Sequence, residues 1–431
     1  MATIPVRDLS EVRRYLSLGV IAITLALAYG IWYAYGIILV ALLNEYGWSR
    51  SVLAGAFSVF TLVHGAVNPI VGTLCDRLRP FGLMAAGGAA LGLALWADSY
   101  ISNPWQLYLG FGVFTAIGVA AAGWIPAIVQ VQRDFQDKLG LALGIVSSGV
   151  GVGMLVVVPL TQMLMDTYGW RVAFRILAAV CVLWIVPSSL FLLRLPPARR
   201  PVLPPVTRAR KAVSTATLAE AMRGMPFWLM FGAFFFGNIC SQTLHVHQVA
   251  YLVDQGVTAM IAASVVGVVG ASSIVAKVGG GWLSDRIERE FVYLGGIAVM
   301  VAAVAALALL GGPLAARAAG APAPWAIYGY AVLLGAGYSV TAALIPAMVS
   351  DRFGGKHFGT IVGVGLMGSA AGSALGPWMA GFLFDLTGSY LPAFAIAAGC
   401  GVLAGAAGCR AWVLRRRALR EDSGGRDPAA G

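Results

Sequence analysis

Long apolar stretches recur along the whole chain, and short polar loops separate them. Crossing the hydrocarbon core of a bilayer takes about 20 mostly apolar residues in an α-helix. The pattern therefore predicts an all-α membrane protein with twelve spans, at about residues 15–43, 51–74, 81–100, 104–131, 138–165, 171–194, 225–253, 258–283, 290–312, 323–349, 357–384 and 390–414. The first stretch is too long for a cleaved signal peptide, so we expect it to remain as the first helix.

Composition and charge support this interpretation. The 431 residues are 59% hydrophobic and 11% charged, where soluble domains have about 25% charged residues. The net charge of +11 does not indicate nucleic acid, because the basic residues cluster on the side that holds both termini. We predict a multi-pass protein of the cell (inner) membrane, with the lipid bilayer around it and both termini in the cytoplasm. The basic residues expected elsewhere are Arg50, Arg171, Arg175 and Arg317 on the other side and Lys277 within a span.

The chain contains an internal repeat. At an offset of 219 residues, Gly140, Gly144, Gly149, Gly153, Asp166 and Gly169 match Gly359, Gly363, Gly368, Gly372, Asp385 and Gly388. At an offset of 209, "GTLCDR" at 72–77 matches "GWLSDR" at 281–286. The repeat predicts two parallel six-helix halves. The N-terminal half covers residues 1–194 and the C-terminal half residues 225–415, with a cytoplasmic linker at 195–224 and a cytoplasmic tail at 416–431.

The two G-x-L-x-D-R elements resemble the loop signature of the major facilitator superfamily, which is built from two such repeats. "YGWSRSVLAGAFS", "GLALGIVSSGVGVG", "DTYGWRVAF" and "HQVAYLVDQGVT" narrow the likeness to bacterial members of its monocarboxylate transporter-like branch, which includes relatives of the oxalate and formate exchangers. The resemblance implies alternating access by rocking of the halves. It also implies that Asp76, Arg77, Asp285 and Arg286 form gates, and both copies have the same acid and base pair. The alternative role is that of interfacial anchors.

Some spans have glycines four residues apart, as in Gly149 and Gly153 or Gly368 and Gly372. Such a face lets a neighbouring helix approach closely. The resemblance to the superfamily implies that these helices meet at the interface between the halves. The glycines therefore either permit rocking of the halves or only allow close packing.

Polar side chains inside the spans are candidates for a binding site, because a membrane helix turns them toward a cavity or another helix. Asn238, Gln242 and His245 share one face of the seventh span. Tyr33 in the first span and Tyr338 in the tenth offer hydroxyls to a small carboxylate. His247 is a possible proton site or a helix cap. For each of these residues a structural role is the alternative.

Lys277 is predicted to point inward. Gly270, Ser273, Gly280 and Gly281 share its helix face, whereas Val268, Ile274, Val275 and Val278 are expected to face lipid. Because acidic residues fall at or beyond the span ends, we expect no carboxylate in the membrane core to pair with it. An unpaired charge there costs at least ~2.5 to 3.5 kcal/mol, so a substrate anion is the expected partner.

The repeat gives Lys277 two counterparts in the other half. The offset of 209 places Ser273 on His64 and Lys277 on Asn68. We expect these two polar pairs to face one cavity, in which Lys277 binds a carboxylate and His64 and Asn68 orient or protonate it.

The sequence therefore predicts a monomeric, proton-coupled transporter of a small monocarboxylate such as lactate or pyruvate, with Lys277, His64 or His247 as possible proton sites. The alternatives are an anion exchanger, an efflux pump for larger aromatic compounds, and a sensor that does not transport. No enzyme constellation, cofactor, metal site or disulfide is expected, because the four histidines and five cysteines have no ligand spacing.

Overall fold

The computed structural model describes residues 6–135, 139–194, 217–284, 286–310, 323–353 and 358–424. Most of the predicted linker, Asp285, His357 and the end of the tail lie outside these ranges, and the side chain of Asp76 is also outside the description.

The described chain is helical, and none of it forms a strand. The α-helices are α1 (Val6–Tyr33), α2 (Tyr35–Tyr46), α3 (Arg50–Arg77), α4 (Pro80–Asp98), α5 (Pro104–Leu107), α6 (Ala116–Ala122), α7 (Trp124–Asp134), α8 (Leu139–Val152), α9 (Val158–Tyr168), α10 (Trp170–Arg194), α11 (Leu218–Arg223), α12 (Met225–Asp254), α13 (Ala259–Ser284), α14 (Arg289–Leu310), α15 (Pro324–Phe353), α16 (Phe358–Thr387) and α17 (Leu391–Gly424).

These helices confirm the predicted fold class. Ten stretches of the described residues are long and apolar enough to cross a membrane. The two other predicted spans, at 323–349 and 357–384, coincide with α15 and α16. We refer to helices α1–α10 as the N-terminal half and to helices α11–α17 as the C-terminal half.

Three of the spans are interrupted. The first span is divided into α1 and α2 at Ala34, and π-helical segments lie at Tyr108–Thr115 in the fourth span and Gly153–Val157 in the fifth. A π-helical turn holds an extra residue, so it shifts the faces of the helix on either side of it, and such turns are frequent at functional sites.

The spaced glycines pack each half internally. A Cβ at Gly149 would lie 2.3 Å from the carbonyl oxygen of Ala22 in α1, and a Cβ at Gly372 would lie 2.2 Å from that of Phe235 in α12. The fifth span is thus in backbone contact with the first, and the eleventh with the seventh, within the same half. Of the two interpretations of these glycines, the structure supports close packing and gives them no place between the halves.

Other small residues let the halves meet. A Cβ at Gly151 would lie 2.8 Å from the carbonyl oxygen of Gly270, and a Cβ at Gly36 would lie 3.0 Å from that of Val246. We call the end of the bundle at which α1 begins the near end and the opposite end, where α2 meets α3, the far end. Gly151 and Gly270 meet between these two ends.

Candidate functional site

Three predicted site residues from both halves meet at the centre of the molecule. The hydroxyls of Tyr33 in α1 and Tyr338 in α15 are 2.6 Å apart, close enough for a hydrogen bond. The His245 ring of α12 lies 5.2 Å from the Tyr33 ring and 4.8 Å from the Tyr338 ring. The break after Tyr33 places this ring at the end of α1, beside the contact of Gly36 with α12. The cluster therefore bridges the two halves.

Several buried polar atoms around this cluster have no hydrogen-bond partner among the described residues. They include Nε2 of His245, Oε1 of Gln242 and the indole nitrogen of Trp32. Nδ1 of His245 is 2.8 Å from the carbonyl of Ser241, so this nitrogen carries the proton and Nε2 is an unpaired acceptor in the neutral ring. Buried polar atoms are usually satisfied, so these atoms are candidate partners for a polar ligand.

His64 and Asn68 form the predicted polar pair on α3. The side-chain nitrogen of Asn68 lies 3.4 Å from His64 Nδ1, and His64 Nε2 is buried without a partner in the described chain. The His64 ring packs edge-on against Trp32, with 4.8 Å between the ring centroids, and it stacks on Phe60. Aromatic rings of the N-terminal half thus hold the imidazole in place, with one nitrogen free.

Lys277 is half-buried on a face of α13 that points away from lipid. On that face Ser273 is fully buried, whereas Val275 and Val278 on the opposite face are 73% and 69% exposed. No described residue forms a hydrogen bond or ion pair with the Lys277 ammonium group. Ile274 differs from its prediction, because it packs against Gly151 of α8 instead of facing lipid.

The other predicted residues form their hydrogen bonds with groups other than this lysine. Ser273 donates its hydroxyl proton to the carbonyl of Gly270, 2.7 Å away in the same helix. Asn238 bonds to the carbonyl of Phe234 and accepts from Ser373 of α16 at 3.2 Å, so it joins two helices of one half. Among the described residues, no hydrogen bond joins Lys277 to His64 or Asn68.

Arg50, which the sequence analysis used only for topology, joins the halves at the far end. Its guanidinium is 2.8 Å from a carboxylate oxygen of Asp254 at the end of α12. The same group donates to the Tyr390 hydroxyl at 2.6 Å and lies 3.9 Å from the centre of the Phe384 ring. Asp385 at the end of α16 accepts from the backbone N–H groups of Arg50 and Ser51 at the start of α3. We call these residues of both halves the far-end latch: Arg50, Ser51, Asp254, Phe384, Asp385 and Tyr390.

His247 contacts the latch from inside the protein. Its Nε2 donates to the carbonyl of Pro377 at 2.8 Å, and its Nδ1 lies 3.0 Å from the Tyr390 hydroxyl. A phenol keeps its proton at neutral pH, so the Tyr390 hydroxyl donates to Nδ1 while it accepts from Arg50. Both nitrogens of the fully buried His247 are therefore satisfied.

Among the described residues three carboxyl groups are buried, which corrects the expectation that no carboxylate lies in the core. Asp98 at the end of α4 is 1% exposed, Asp134 at the end of α7 is 7% exposed and Glu290 in α14 is 4% exposed. Their positions near span ends suggested contact with water, but neighbouring helices cover them.

The predicted gates are described in part. The side chains of Arg77 and Arg286 are exposed, and Arg286 lies 3.7 Å from the centre of the Trp282 ring. Their predicted acidic partners Asp76 and Asp285 are outside the description. In the described chain no three His, Cys, Asp or Glu side chains come close enough to hold a metal ion.

Comparisons with known proteins agree with this architecture. A family model described as Major Facilitator Superfamily matches residues 21–321. Monocarboxylate transporter 11 of Mus musculus is 28% identical over 383 residues, covering 86% of this chain and 81% of that protein. Monocarboxylate transporter 13 of Bos taurus is 28% identical over 385 residues, covering 88% of this chain and 85% of that protein.

The fold also resembles a solved structure. A crystal structure of a bacterial homologue of the human lysosomal transporter Spinster, in an inward-facing and unoccupied conformation, has a TM-score of 0.68 and 17% identity. The match covers 97% of this chain and 99% of that chain. At this identity the likeness concerns the fold alone.

Proposed function

The chain belongs to the Major Facilitator Superfamily and is a monocarboxylate transporter-like membrane transporter, and we propose that it carries a small monocarboxylate such as lactate or pyruvate together with a proton. The relatives named monocarboxylate transporters support an organic anion as the substrate class. The chemistry of the central cluster and of Lys277 supports the finer assignment.

Lys277 carries this proposal. A cation on a protein-facing helix surface is costly without a counter-charge, and it has no partner among the described residues. A substrate carboxylate supplies one negative charge and accepts the hydrogen bonds that an ammonium group donates. A single lysine suits one carboxylate, and we propose that Ser273 borders this position.

The central cluster supports recognition of the rest of the substrate. Tyr33 and Tyr338 offer hydroxyl groups, while Gln242 and His245 offer buried acceptors. These groups can bond to the hydroxyl or keto oxygen of a lactate-sized molecule. His64 and Asn68 approach from the other half, and we assign Asn238 a packing role beside them.

The proposed cycle is rocking of the two halves around this site. The far-end latch closes one side. The space beside Tyr33 is too small for a water molecule, and its lining consists of Trp32, Tyr35, Gly36, Phe57, His245 and Val246. With both termini in the cytoplasm, as the basic residues favour, the far end is the outer side of the cell (inner) membrane. We propose a monomer that opens outward when the latch separates.

The gates at the near end complete this proposal. Arg77 and Arg286 are exposed at the ends of α3 and α13, where an acid and a base can hold the cytoplasmic side closed in the outward-open state. For the proton, the candidates on the substrate path are Lys277, His64 and His247. His64 belongs to the polar pair with Asn68, and its Nε2 is free to accept a proton.

A second candidate is transport of an aromatic acid, including efflux. Tyr29, Trp32 and Phe60 surround His64, and stacked aromatic rings favour a flat aromatic substrate. Exchange of one anion for another is compatible with the same site.

Counterflow in proteoliposomes tests the proposal. Vesicles loaded with unlabelled lactate, pyruvate, oxalate or benzoate are diluted into labelled lactate, with and without an inward proton gradient. We expect lactate and pyruvate to drive exchange and the gradient to drive accumulation. Exchange that only benzoate supports would favour the aromatic substrate, and accumulation that ignores the gradient would reject proton coupling. Binding of lactate without any movement would indicate a sensor.

A further inference from the structure

The three buried carboxyl groups differ in their partners. Asp134 accepts from the side-chain nitrogen of Gln130 at 2.7 Å and lies 3.4 Å from the hydroxyl of Ser17. Glu290 is paired with Arg415 at 2.7 Å. Asp98 accepts a single hydrogen bond, from the Thr115 hydroxyl to Oδ2 at 3.0 Å, and its Oδ1 has no partner among the described residues.

A π-helical segment shapes the surroundings of Asp98. Thr115 is the last residue of the segment Tyr108–Thr115, which packs along α4. A Cβ at Gly110 in the same segment would lie 1.9 Å from Asp98 Oδ1, so this oxygen rests against bare backbone. The π-helical segment thus directs the Thr115 hydroxyl toward one carboxyl oxygen of Asp98 and places the backbone of Gly110 against the other.

The titratable groups around Asp98 do not neutralise a negative charge. Tyr35 from α2 is within electrostatic range, but it donates its hydroxyl proton to the carbonyl of Leu53 at 2.5 Å. Tyr108 of the π-helical segment lies against Gly55 of α3. Arg175 of α10 is exposed, and its Nε donates to the Ser99 hydroxyl at 3.1 Å instead of to Asp98.

An ionised carboxylate in this position would have one hydroxyl donor and no adjacent cation among the described residues. Burying an unpaired charge costs several kcal/mol or more, and a carboxyl group avoids that cost when it holds a proton. The neutral acid is thus the form that fits the surroundings of Asp98. Asp134 and Glu290 have the hydrogen-bond donors and the cation that Asp98 lacks.

Tyr35 connects this carboxyl group to the interface between the halves. Its ring is 1% exposed and lies 4.5 Å from the Phe111 ring of the π-helical segment. The next residue, Gly36, is in contact with α12 of the other half. Separation of α2 from α12 at the far end would move Tyr35, which is within electrostatic range of Asp98.

We propose that Asp98 is a proton-binding site of the transport cycle, which holds its proton while the far end is closed and exchanges it with the far-side solution when α2 leaves α12. This inference rests on the proposed proton coupling and adds a site to it that is separate from the substrate position. The ligand is the proton alone.

Replacement of Asp98 by asparagine tests the site, because the amide has the shape of the protonated acid but cannot release a proton. In proteoliposomes we expect Asp98→Asn to keep lactate counterflow within about twofold and to lose gradient-driven accumulation by about tenfold or more. Exchange needs no net proton movement, whereas accumulation does. Wild-type accumulation in this variant would overturn the proposal, and so would loss of counterflow in a protein that keeps its thermal unfolding midpoint.

Infrared difference spectroscopy in nanodiscs decides the point without any substrate. We expect a C=O stretching band of a protonated carboxyl group in the wild type that shifts in D₂O and is missing from Asp98→Asn. The absence of such a difference overturns the proposal even if transport behaves as expected. If wild-type protein carries no monocarboxylate but shows the band, the proposed substrate fails and the proton site stands.

Thr115→Val provides a second variant of similar shape. Loss of the hydroxyl donor disfavours the ionised form of Asp98, so the pH dependence of accumulation should shift toward higher pH. Thr161→Val is the matched control, since the Thr161 hydroxyl donates to the carbonyl of Val157 in its own span. Equal pH profiles for the two threonine variants and wild type would contradict a titrating Asp98.

Discussion

The two ends of the interface between the halves differ in whether the protein supplies a partner for a side-chain cation. At the far end, the Arg50 guanidinium has a carboxylate, a phenol and an aromatic ring from the other half around it. On the near-end side of the Gly151–Gly270 contact, Lys277 is half-buried with no bonded partner in the described chain. Both side chains carry one positive charge, but only Arg50 is neutralised by protein.

This difference separates two tasks of a transporter. A cation with a protein partner stabilises one conformation, because the ion pair must break before the halves separate. A cation without a protein partner leaves its counter-charge to a ligand. The hydrogen bonds between described residues of the two halves lie on the far-end side or at the centre. They join residues 33–58 to residues 254–390. Lys277 takes part in none of them, so its ammonium group is available to a ligand.

Lys277→Ala should have the largest effect, because it removes the charge that we assign to the substrate. Truncation of one member of a close charge pair costs about 2 to 5 kcal/mol, so lactate counterflow should fall by at least ~30-fold. Lys277→Arg should restore part of it. Val278→Ala, on the exposed face of the same helix, is the matched control, and exchange by Lys277→Ala equal to that control would remove the lysine from the site.

Arg50→Gln should open the far end. Removal of one partner from a buried ion pair costs about 3 to 5 kcal/mol, and the effect here should be smaller, about 1 to 3 kcal/mol, because the Asp254 side chain is 33% exposed. We expect longer distances between spin labels at the far ends of α2 and α12, measured by pulsed electron paramagnetic resonance.

Arg171→Gln is the control for the latch. Arg171 pairs with Glu45 at 2.6 Å at the same end of the molecule but within one half. Its loss should leave the label distances unchanged. Equal distance distributions for wild type and Arg50→Gln would show that the latch does not hold the halves together.

The hydrogen bond between Tyr33 and Tyr338 should contribute less. A double-mutant cycle with Tyr33→Phe and Tyr338→Phe should give a coupling of about 0.5 to 1.5 kcal/mol, measured as the difference in thermal stability. Ser264 and Tyr328 form a comparable hydroxyl pair at 2.9 Å within one half. The variants Ser264→Ala and Tyr328→Phe should leave the far-end label distances unchanged, whereas Tyr33→Phe and Tyr338→Phe should alter them. Identical label distances for both pairs would argue against a bridging role of Tyr33 and Tyr338.

An ion pair outside the interface should have the smallest effect. Hydrogen bonds from Arg416 and Trp412 lower the pKa of Glu288 below its ordinary value of 4.5, so this pair stabilises the protein above that pH and loses the contribution as the pH falls. Glu288→Gln should cost less than about 1 kcal/mol at pH 7 and nothing at low pH, by thermal unfolding. A larger loss, or any change in transport, would contradict its assignment to one half.

The fold followed from the sequence because each span must satisfy its own backbone in lipid. Apolar length alone therefore placed the helices, and the repeated glycines and G-x-L-x-D-R elements indicated two halves. The placement of His245 on a polar helix face was predicted from its spacing to Asn238 and Gln242. What the sequence could not supply is the depth of each helix in the bundle, which decides whether Ile274 meets lipid or Gly151.

The far-end latch was missed for a related reason. Arg50 has partners 204 and 340 positions away, and its repeat counterpart at an offset of 209 is Ala259, so the repeat gave no signal for it. Asp98 was missed because a carboxylate near a span end suggests contact with water. Its burial depends on a π-helical segment, and apolar periodicity does not predict such a segment.

In the proposed rocking motion, the contact between Gly151 and Gly270 is the pivot. When two rigid bodies tilt about a point of contact, displacement grows with distance from that point. Lys277 is seven residues from Gly270, about 10 Å along the helix axis. The far-end latch lies at the end of the bundle, farther from the contact, so it undergoes the larger displacement. A carboxylate held by Lys277 would therefore keep nearly the same position through the cycle, while the access route moves from one side of it to the other.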